Sequence, residues 1–303
     1  MSRSAALALY LLLILIWSST WVAIKIGLED CPPLLGAGAR FAFAGLVLLG
    51  ITMVRRRSLR TDPGLAVVLA LLPFAFAYGL VYWGEQHIPS GLAAVLFGVL
   101  PLYTALIGGA LLPDEPMHPR LFAGVLIAVA GLALAFVESL DLGSDDLAWA
   151  GALALLLSPL GASVGNVAIK LRAARLDAVV LNGWAMLGGG VLLLALSGAT
   201  ESWGEFAWTG ESLGSIAYLA IAGSAVAFVI LTVLLRQMSA RSMSFLAMLL
   251  PFGALAFGAA LYDEPVTARA AAGAGLVAAG LMLAQGMGLG TRVRGPAAAP
   301  ADR

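Results

Sequence analysis

The chain reads as an all-α integral membrane protein of ten transmembrane helices, arranged as two inverted five-helix repeats, and three observations predict this. Hydrophobic residues make up 61% of the 303 positions and charged residues only 11%, against about 25% charged in soluble domains. Hydropathy divides into ten apolar segments, each long enough for a hydrocarbon core that takes roughly 20 helical residues to cross. The text is also written twice. Leu111-Leu112-Pro113-Asp114-Glu115-Pro116, followed by Gly124, Gly131, Leu132, Leu134 and Ala135, returns 149 positions later as Ala260-Leu261-Tyr262-Asp263-Glu264-Pro265, followed by Gly273, Gly280, Leu281, Leu283 and Ala284. A repeat in so apolar a chain points to a transporter of two related halves.

The segments run over 5–28, 33–54, 64–84, 90–112, 119–137, 147–168, 178–197, 213–235, 243–262 and 267–287. Val22-Ala23-Ile24-Lys25 in the first segment recurs as Val167-Ala168-Ile169-Lys170 in the sixth, an offset of 145. Gly38 and Gly45 of the second meet Gly183 and Gly190 of the seventh at the same offset, and Pro101 of the fourth meets Pro251 of the ninth at 150. The fifth and tenth follow the Asp-Glu-Pro texts. Those read as helix starts, because acids at a helix N-terminus complement its dipole and proline is tolerated in the first turn. Five helices is an odd number, so the halves run in opposite directions. The division is 1–142 for the first repeat, 143–288 for the second and 289–303 for a disordered cytoplasmic tail. The first apolar run is far longer than the roughly 7–15 residues of a signal h-region, which argues against a cleaved signal peptide. Connections this short leave no room for a soluble catalytic or nucleic-acid-binding domain.

A formal net charge of zero hides a segregation. With the N-terminus cytoplasmic, the inner loops hold Arg3, Arg55, Arg56, Arg57, Arg60, Arg120, Lys170, Arg172, Arg175, Arg236, Arg241, Arg292, Arg294 and Arg303, 14 of the 17 basic residues. The outer side keeps Lys25, Arg40 and Arg269, and its loops carry Glu29, Asp30, Glu138, Asp141, Asp145, Asp146, Glu201, Glu205 and Glu211. By the positive-inside rule both termini are cytoplasmic. The two Asp-Glu-Pro texts then fall on opposite faces, so they cannot form one site.

Trp17-Ser18-Ser19-Thr20-Trp21-Val22-Ala23-Ile24-Lys25, Arg40-Phe41, Pro101 and the acidic-proline helix openings together resemble the EamA family of the drug/metabolite transporter superfamily, over about residues 8–286. The resemblance implies a ten-helix carrier of two inverted repeats that moves small metabolites such as amino acids across the bacterial inner membrane, often outward. This chain has Asp-Glu-Pro where the family commonly has a Gly-Glu-Arg-like text, so no role of a basic residue there carries over.

Carriers with inverted repeats tend to bind near the midplane, where helices are interrupted by glycine or proline. Pro101 and Pro251 lie about 15 Å deep at 1.5 Å per residue; each marks either a carbonyl freed for a ligand or a packing kink. At the same depth Trp17, Ser18, Thr20 and Trp21 align with Ala162, Ser163, Gly165 and Asn166. These polar clusters read as the convergent groups of a pocket, each serine alone also as interhelical glue. Tyr78 is a stacking candidate a turn deeper than Tyr82 and Trp83, which fit an interfacial belt; Asn182 and Trp184 are weaker candidates. Arg40 either binds a substrate carboxylate, or snorkels outward or pairs with Glu29, Asp30 or Glu85. Lys25 and Lys170 read as snorkelling to the boundaries. Glu85 and His87 form either a proton-linked gate or a solvated pair at the outer mouth.

No metal or other cofactor is expected, since His87 and His118 fall on opposite sides and Cys31 is the sole cysteine. An intramembrane protease is the rival class. Gly161-Ala162-Ser163 lacks the second glycine of a serine-protease text, no histidine lies in the membrane, and Asp263 has no intramembrane acidic partner. A non-transporting scaffold or receptor leaves the duplication unexplained. The expected partners are a small-molecule substrate and the bilayer, with no nucleic acid. The sequence leaves open whether protons are coupled, and whether the chain is a monomer or a homodimer joined through its glycine stripes.

Overall fold

The computed structural model describes residues 1–88, 90–115, 118–135, 146–253 and 267–285. The Asp263-Glu264-Pro265 text, the acids Glu138, Asp141 and Asp145, Pro116 and the tail 289–303 lie outside the described residues. Among those residues the secondary structure is entirely helical. The helices are α1 (Arg3–Asp30), α2 (Pro33–Val54), α3 (Pro63–Glu85), α4 (Ser90–Phe97), α5 (Leu100–Leu111), α6 (Pro119–Ala135), α7 (Ala148–Arg172), α8 (Ala178–Thr200), α9 (Gly210–Leu235), α10 (Ala240–Ser244), α11 (from 246 to 253, where the described stretch ends) and α12 (Ala268–Gln285). Six of them, α1, α2, α3, α7, α8 and α9, are long and apolar enough to cross a membrane, and shorter apolar helices complete the bundle. The chain is a membrane protein.

Most boundaries fall within a turn of the hydropathy segments, but four segments are not the regular helices expected. The fourth is broken between Phe97 and Leu100. Pro101 has no N–H to continue the ladder, and its ring clashes with the carbonyl four residues back, which is that of Phe97. Proline therefore occupies the first turn of α5, where a missing N–H is harmless; it restarts a helix and does not kink the middle of one. The ninth segment is interrupted at Phe245. The third and eighth each contain a π-helical stretch, Ala70–Ala77 around Pro73 and Ile221–Val226. Wide turns of this kind are frequent at functional sites.

The two most extensive packings are α2 on α8 and α6 on α12, and both run antiparallel through glycine. Gly38 lies against Leu194 and Gly45 against the backbone at Gly183 and Leu187, while Gly190 meets the backbone of Ala42 and Gly38. Gly124 meets Gly280 and Gly131 meets Gly273, each backbone against backbone. Removing the Cβ lets the helices approach closely, which substitutes for the absent hydrophobic drive between helices in lipid.

Helix starts are tied by carboxylates from segments far away in the chain. Glu201 accepts from the N–H groups of Leu34 (2.8 Å) and Leu35 (3.0 Å) at the start of α2. Glu115 accepts from Ala240 (2.9 Å) and Arg241 (3.1 Å) at the start of α10. This corrects the reading of the first Asp-Glu-Pro text as the start of the fifth span: α6 begins at Pro119, and Glu115 satisfies orphan donors at the start of α10, 125 residues further along the chain. Asp62 caps α3 and pairs with Arg172 at 2.6 Å; the Leu65 N–H and then the Arg172 charge hold its carboxyl below the usual range.

Lys25 and Lys170 do not snorkel. Lys25 Nζ donates to the Glu85 carbonyl at the end of α3 (3.3 Å), and Lys170 Nζ donates to the carbonyls of Leu235 (3.0 Å) and Met238 (2.6 Å) at the end of α9. Each completes orphan carbonyls where a helix dipole favours a cation.

Gly190→Ala should destabilise the α2/α8 contact by about 1–3 kcal/mol, because the added methyl meets backbone that cannot move aside. Gly50→Ala, where a Cβ meets nothing within 4 Å, should be neutral. Thermal unfolding in detergent checks the pair, and equal stability of both variants would contradict the close packing.

Candidate functional site

A cavity of about 930 Å³, counting its mouth, lies where α1, α3, α4, α5, α7, α8, α9, α10 and α11 face one another. The residues around it carry six aromatic rings, Trp17, Trp21, Phe74, Tyr78, Phe97 and Phe228, and no charged side chain.

Phe228 organises the aromatic wall. Its ring stands edge-on to Trp17 (5.2 Å between centroids), Phe74 (4.9 Å) and Tyr78 (6.0 Å). Trp21 packs edge-on to Phe97 at 5.8 Å. Such edge-to-face contacts add about 0.5–1.5 kcal/mol each beyond area burial, so the wall is ordered before any solute arrives.

The π-helical stretch of α9 supplies the wall's anchor. The Gly223 carbonyl accepts from Trp17 Nε1 (3.2 Å) and from Arg40 Nη2 (3.1 Å). Arg40, 1% exposed, also donates through Nε to Ser224 Oγ (2.7 Å) and through Nη1 to the Tyr82 hydroxyl (3.3 Å). Its guanidinium lies over the rings of Phe41 (5.0 Å) and Tyr78 (4.9 Å). Of the partners open to it, Glu29, Asp30 and Glu85, none is within ion-pair distance, and Arg40 does not reach the cavity surface. It braces the wall from behind.

Two amides reach the cavity. Asn182 donates to the Ala178 carbonyl and to Thr232 Oγ1, both at 2.8 Å. Asn166, buried in the α7 wall, makes no hydrogen bond among the described residues. An amide with two donors and an acceptor unspent beside a cavity can take up a solute's polar group.

Six candidates therefore meet at one cavity: Trp17, Thr20, Trp21, Tyr78, Asn166 and the weaker candidate Asn182. Ser18, Ser163, Pro101, Pro251 and Arg40 stand outside its lining. Ser163 shares a hydrogen bond with Thr104 Oγ1 (3.0 Å) and donates to the Leu100 carbonyl (3.2 Å), joining α7 to α5. Ser18, 145 positions earlier, packs against Gly253 of α11 and has no hydrogen-bond partner among the described residues. His87 stacks on Trp83 at 4.8 Å. Glu85 is not a solvated residue but 0% exposed. Phe74, Phe97, Phe228 and Met243 were not singled out from the sequence, because an apolar residue facing a cavity is composed like one facing lipid; the nearness of Pro73 and Pro101 is the signal that could have found two of them.

Among the described residues no group of three His, Cys, Asp or Glu side chains could hold a metal ion. Burial, then Glu201 and Asp30, push the Cys31 thiol up to about 12, leaving it protonated at neutral pH.

A cavity lined by side chains from several membrane helices is where a transporter binds its solute. The family model of the EamA-like transporter family matches the chain twice, over residues 4–137 and 149–285, and the chain belongs to that family. The uncharacterized transporter YoaV of Bacillus subtilis is 29% identical over 272 residues, covering 89% of this chain and 92% of that one. The uncharacterized inner membrane transporter YedA of Escherichia coli K12 is 30% identical over 272 residues, covering 87% and 83%. A solved crystal structure superposes with a TM-score of 0.76 at 22% identity, covering 93% of this chain and 97% of that one, and so shares the fold. The protein is a membrane transporter.

Arg40→Lys should cost about 1–3 kcal/mol of stability, because an ammonium cannot hold three partners in a fork while lying flat on two rings. Thermal unfolding in detergent reads this; a variant as stable as the parent would remove Arg40 from the bracing role.

Proposed function

We propose that the chain is a secondary transporter that exports small metabolites, amino acids among them, across the bacterial inner membrane by alternating access between two inverted five-helix repeats, 1–142 and 143–288. Ten spans and cytoplasmic termini belong to the same reading. Equivalent positions doing equivalent work support it. Lys25 and Lys170, 145 apart, cap α3 and α9 at carbonyls 150 apart. Gly124 contacts Gly280, the equivalent of Gly131, while Gly131 contacts Gly273, the equivalent of Gly124. That reciprocity is what a two-fold relation between opposed helices demands. Outward direction rests on what the family resemblance implies, and inner-membrane placement on the distribution of Arg and Lys and on the relative YedA.

The observation that carries the substrate class is the uncharged aromatic wall with the unspent Asn166 amide. A flat apolar body stacks on the rings and one of the solute's polar groups meets the amide. Among amino acids this favours those with aromatic side chains over small or charged ones.

The test is counterflow of labelled L-phenylalanine, L-alanine and L-glutamate in proteoliposomes of the full chain. Phenylalanine is expected to exchange fastest. Trp21→Ala and Asn166→Leu should each slow it about tenfold, as a loss near 1.4 kcal/mol implies. Trp184→Phe, on a surface tryptophan bonded to the Leu59 carbonyl, should not change it. Exchange of none of the probes, or equal rates in all variants, would move the site elsewhere.

A further inference from the structure

Glu85 is the last residue of α3 and the most deeply buried acid among the described residues. Gly84 beside it packs on Gly151 and Leu155 of α7, which seals that side. Neither carboxylate oxygen has a hydrogen-bond partner among the described residues. A buried carboxylate that is ionised and unbonded costs several kcal/mol, and ionisable groups at such sites are functional by default.

The charged and titratable groups on the elements packed around it are few. The near end of α1 carries Lys25, Glu29 and Asp30, α2 carries Arg40, and its own segment carries Tyr78, Tyr82 and His87. α4 has none, and α7 has Lys170 and Arg172 only at its far end. Two of the cations are already committed. Lys25 donates to the backbone carbonyl of Glu85 itself, and Arg40 spends its donors on Ser224, Tyr82 and Gly223.

We propose that Glu85 is the proton-binding site of this transporter, and that its protonation sets the tie between α1 and α3; this rests on the transport reading above. With a proton on Glu85 the side chain is neutral, and Lys25 stays on the carbonyl that ends α3. When the proton leaves, the O–H electron pair remains on the carboxylate, whose strongest electrostatic attraction is to the same ammonium, followed by Arg40. Lys25 turns from carbonyl to carboxylate and uncaps the helix. The other half has the matching clamp, Lys170 on the Leu235 carbonyl, but a leucine stands where Glu85 stands here, 150 positions earlier. One end of the molecule thus has a lysine clamp that a proton can switch, and the other a clamp that it cannot.

The experiment uses the full chain in lipid vesicles, with L-phenylalanine as the solute and a pH-sensitive dye inside. Infrared difference spectra at neutral pH are expected to contain a protonated carboxylic acid band that is absent in Glu85→Gln and displaced in Glu85→Asp. Phenylalanine addition is expected to change the dye signal for the parent and for Glu85→Asp, and the change should fall at least about tenfold in Glu85→Gln, the ratio that a loss near 1.4 kcal/mol gives. A band that persists in Glu85→Gln, a band unmoved in Glu85→Asp, or an equal dye response in Glu85→Gln overturns the proposal. If Glu85→Gln fails to accumulate, the Glu85→Asp band decides alone. If the parent moves no phenylalanine, the transport reading fails while the infrared comparison still tests the proton site.

Discussion

In lipid every backbone N–H and C=O must find a partner inside the protein, and the rest of this structure depends on that constraint. The cavity exists because helices depart from regularity beside it. α3 and α9 widen into π turns, and the fourth span stops at Phe97 and restarts at Leu100. Each departure exposes backbone groups that side chains must satisfy. Trp17 and Arg40 both answer the Gly223 carbonyl, and Ser163 answers that of Leu100. The groups that keep the irregular backbone viable are thereby the groups that fix the cavity wall.

The same constraint explains why so few charges face the cavity. A guanidinium behind Tyr78 is tolerable because neutral oxygens take three of its donors and two rings cover its faces. Placed in the wall itself it would need a counter-ion, and the site would select for anions. Behind the wall it lends rigidity without that selection. Residues at matching positions of the two stretches that the family model covers do different work. Ser163 has a hydroxyl partner in Thr104, whereas Ser18 faces Gly253, and Arg40 has Ala185 at the equivalent position.

Residue types with one physical explanation were legible from the start. Six of the long apolar runs are helices long enough to cross a membrane, and glycines at matching offsets marked the α2/α8 and α6/α12 contacts. The polar midplane cluster of α1 led to Trp17, Thr20 and Trp21. Residues with two explanations were not. Serine serves a pocket or a helix contact equally well, so Ser18 and Ser163 were drawn to the site and belong to packing. Lys25 and Lys170 looked like snorkelling residues because a side chain's reach to a distant helix end is invisible in its own segment. Glu115 looked like the start of its own following helix for the same reason.

By itself the sequence determined that the chain lies in a membrane, where its helices run and that its text is duplicated, because hydropathy and repetition are local or one-dimensional signals. Only the tertiary structure decided which aromatic rings share a cavity, that Arg40 stands behind it, and that the Glu85 carboxylate is buried with no hydrogen-bond partner among the described residues. Those are properties of distances between segments far apart in the chain, and burial at a helix end depends on what packs there. Glu85 is sealed by Gly84 against Gly151 and Leu155, a contact that no reading of either helix alone contains.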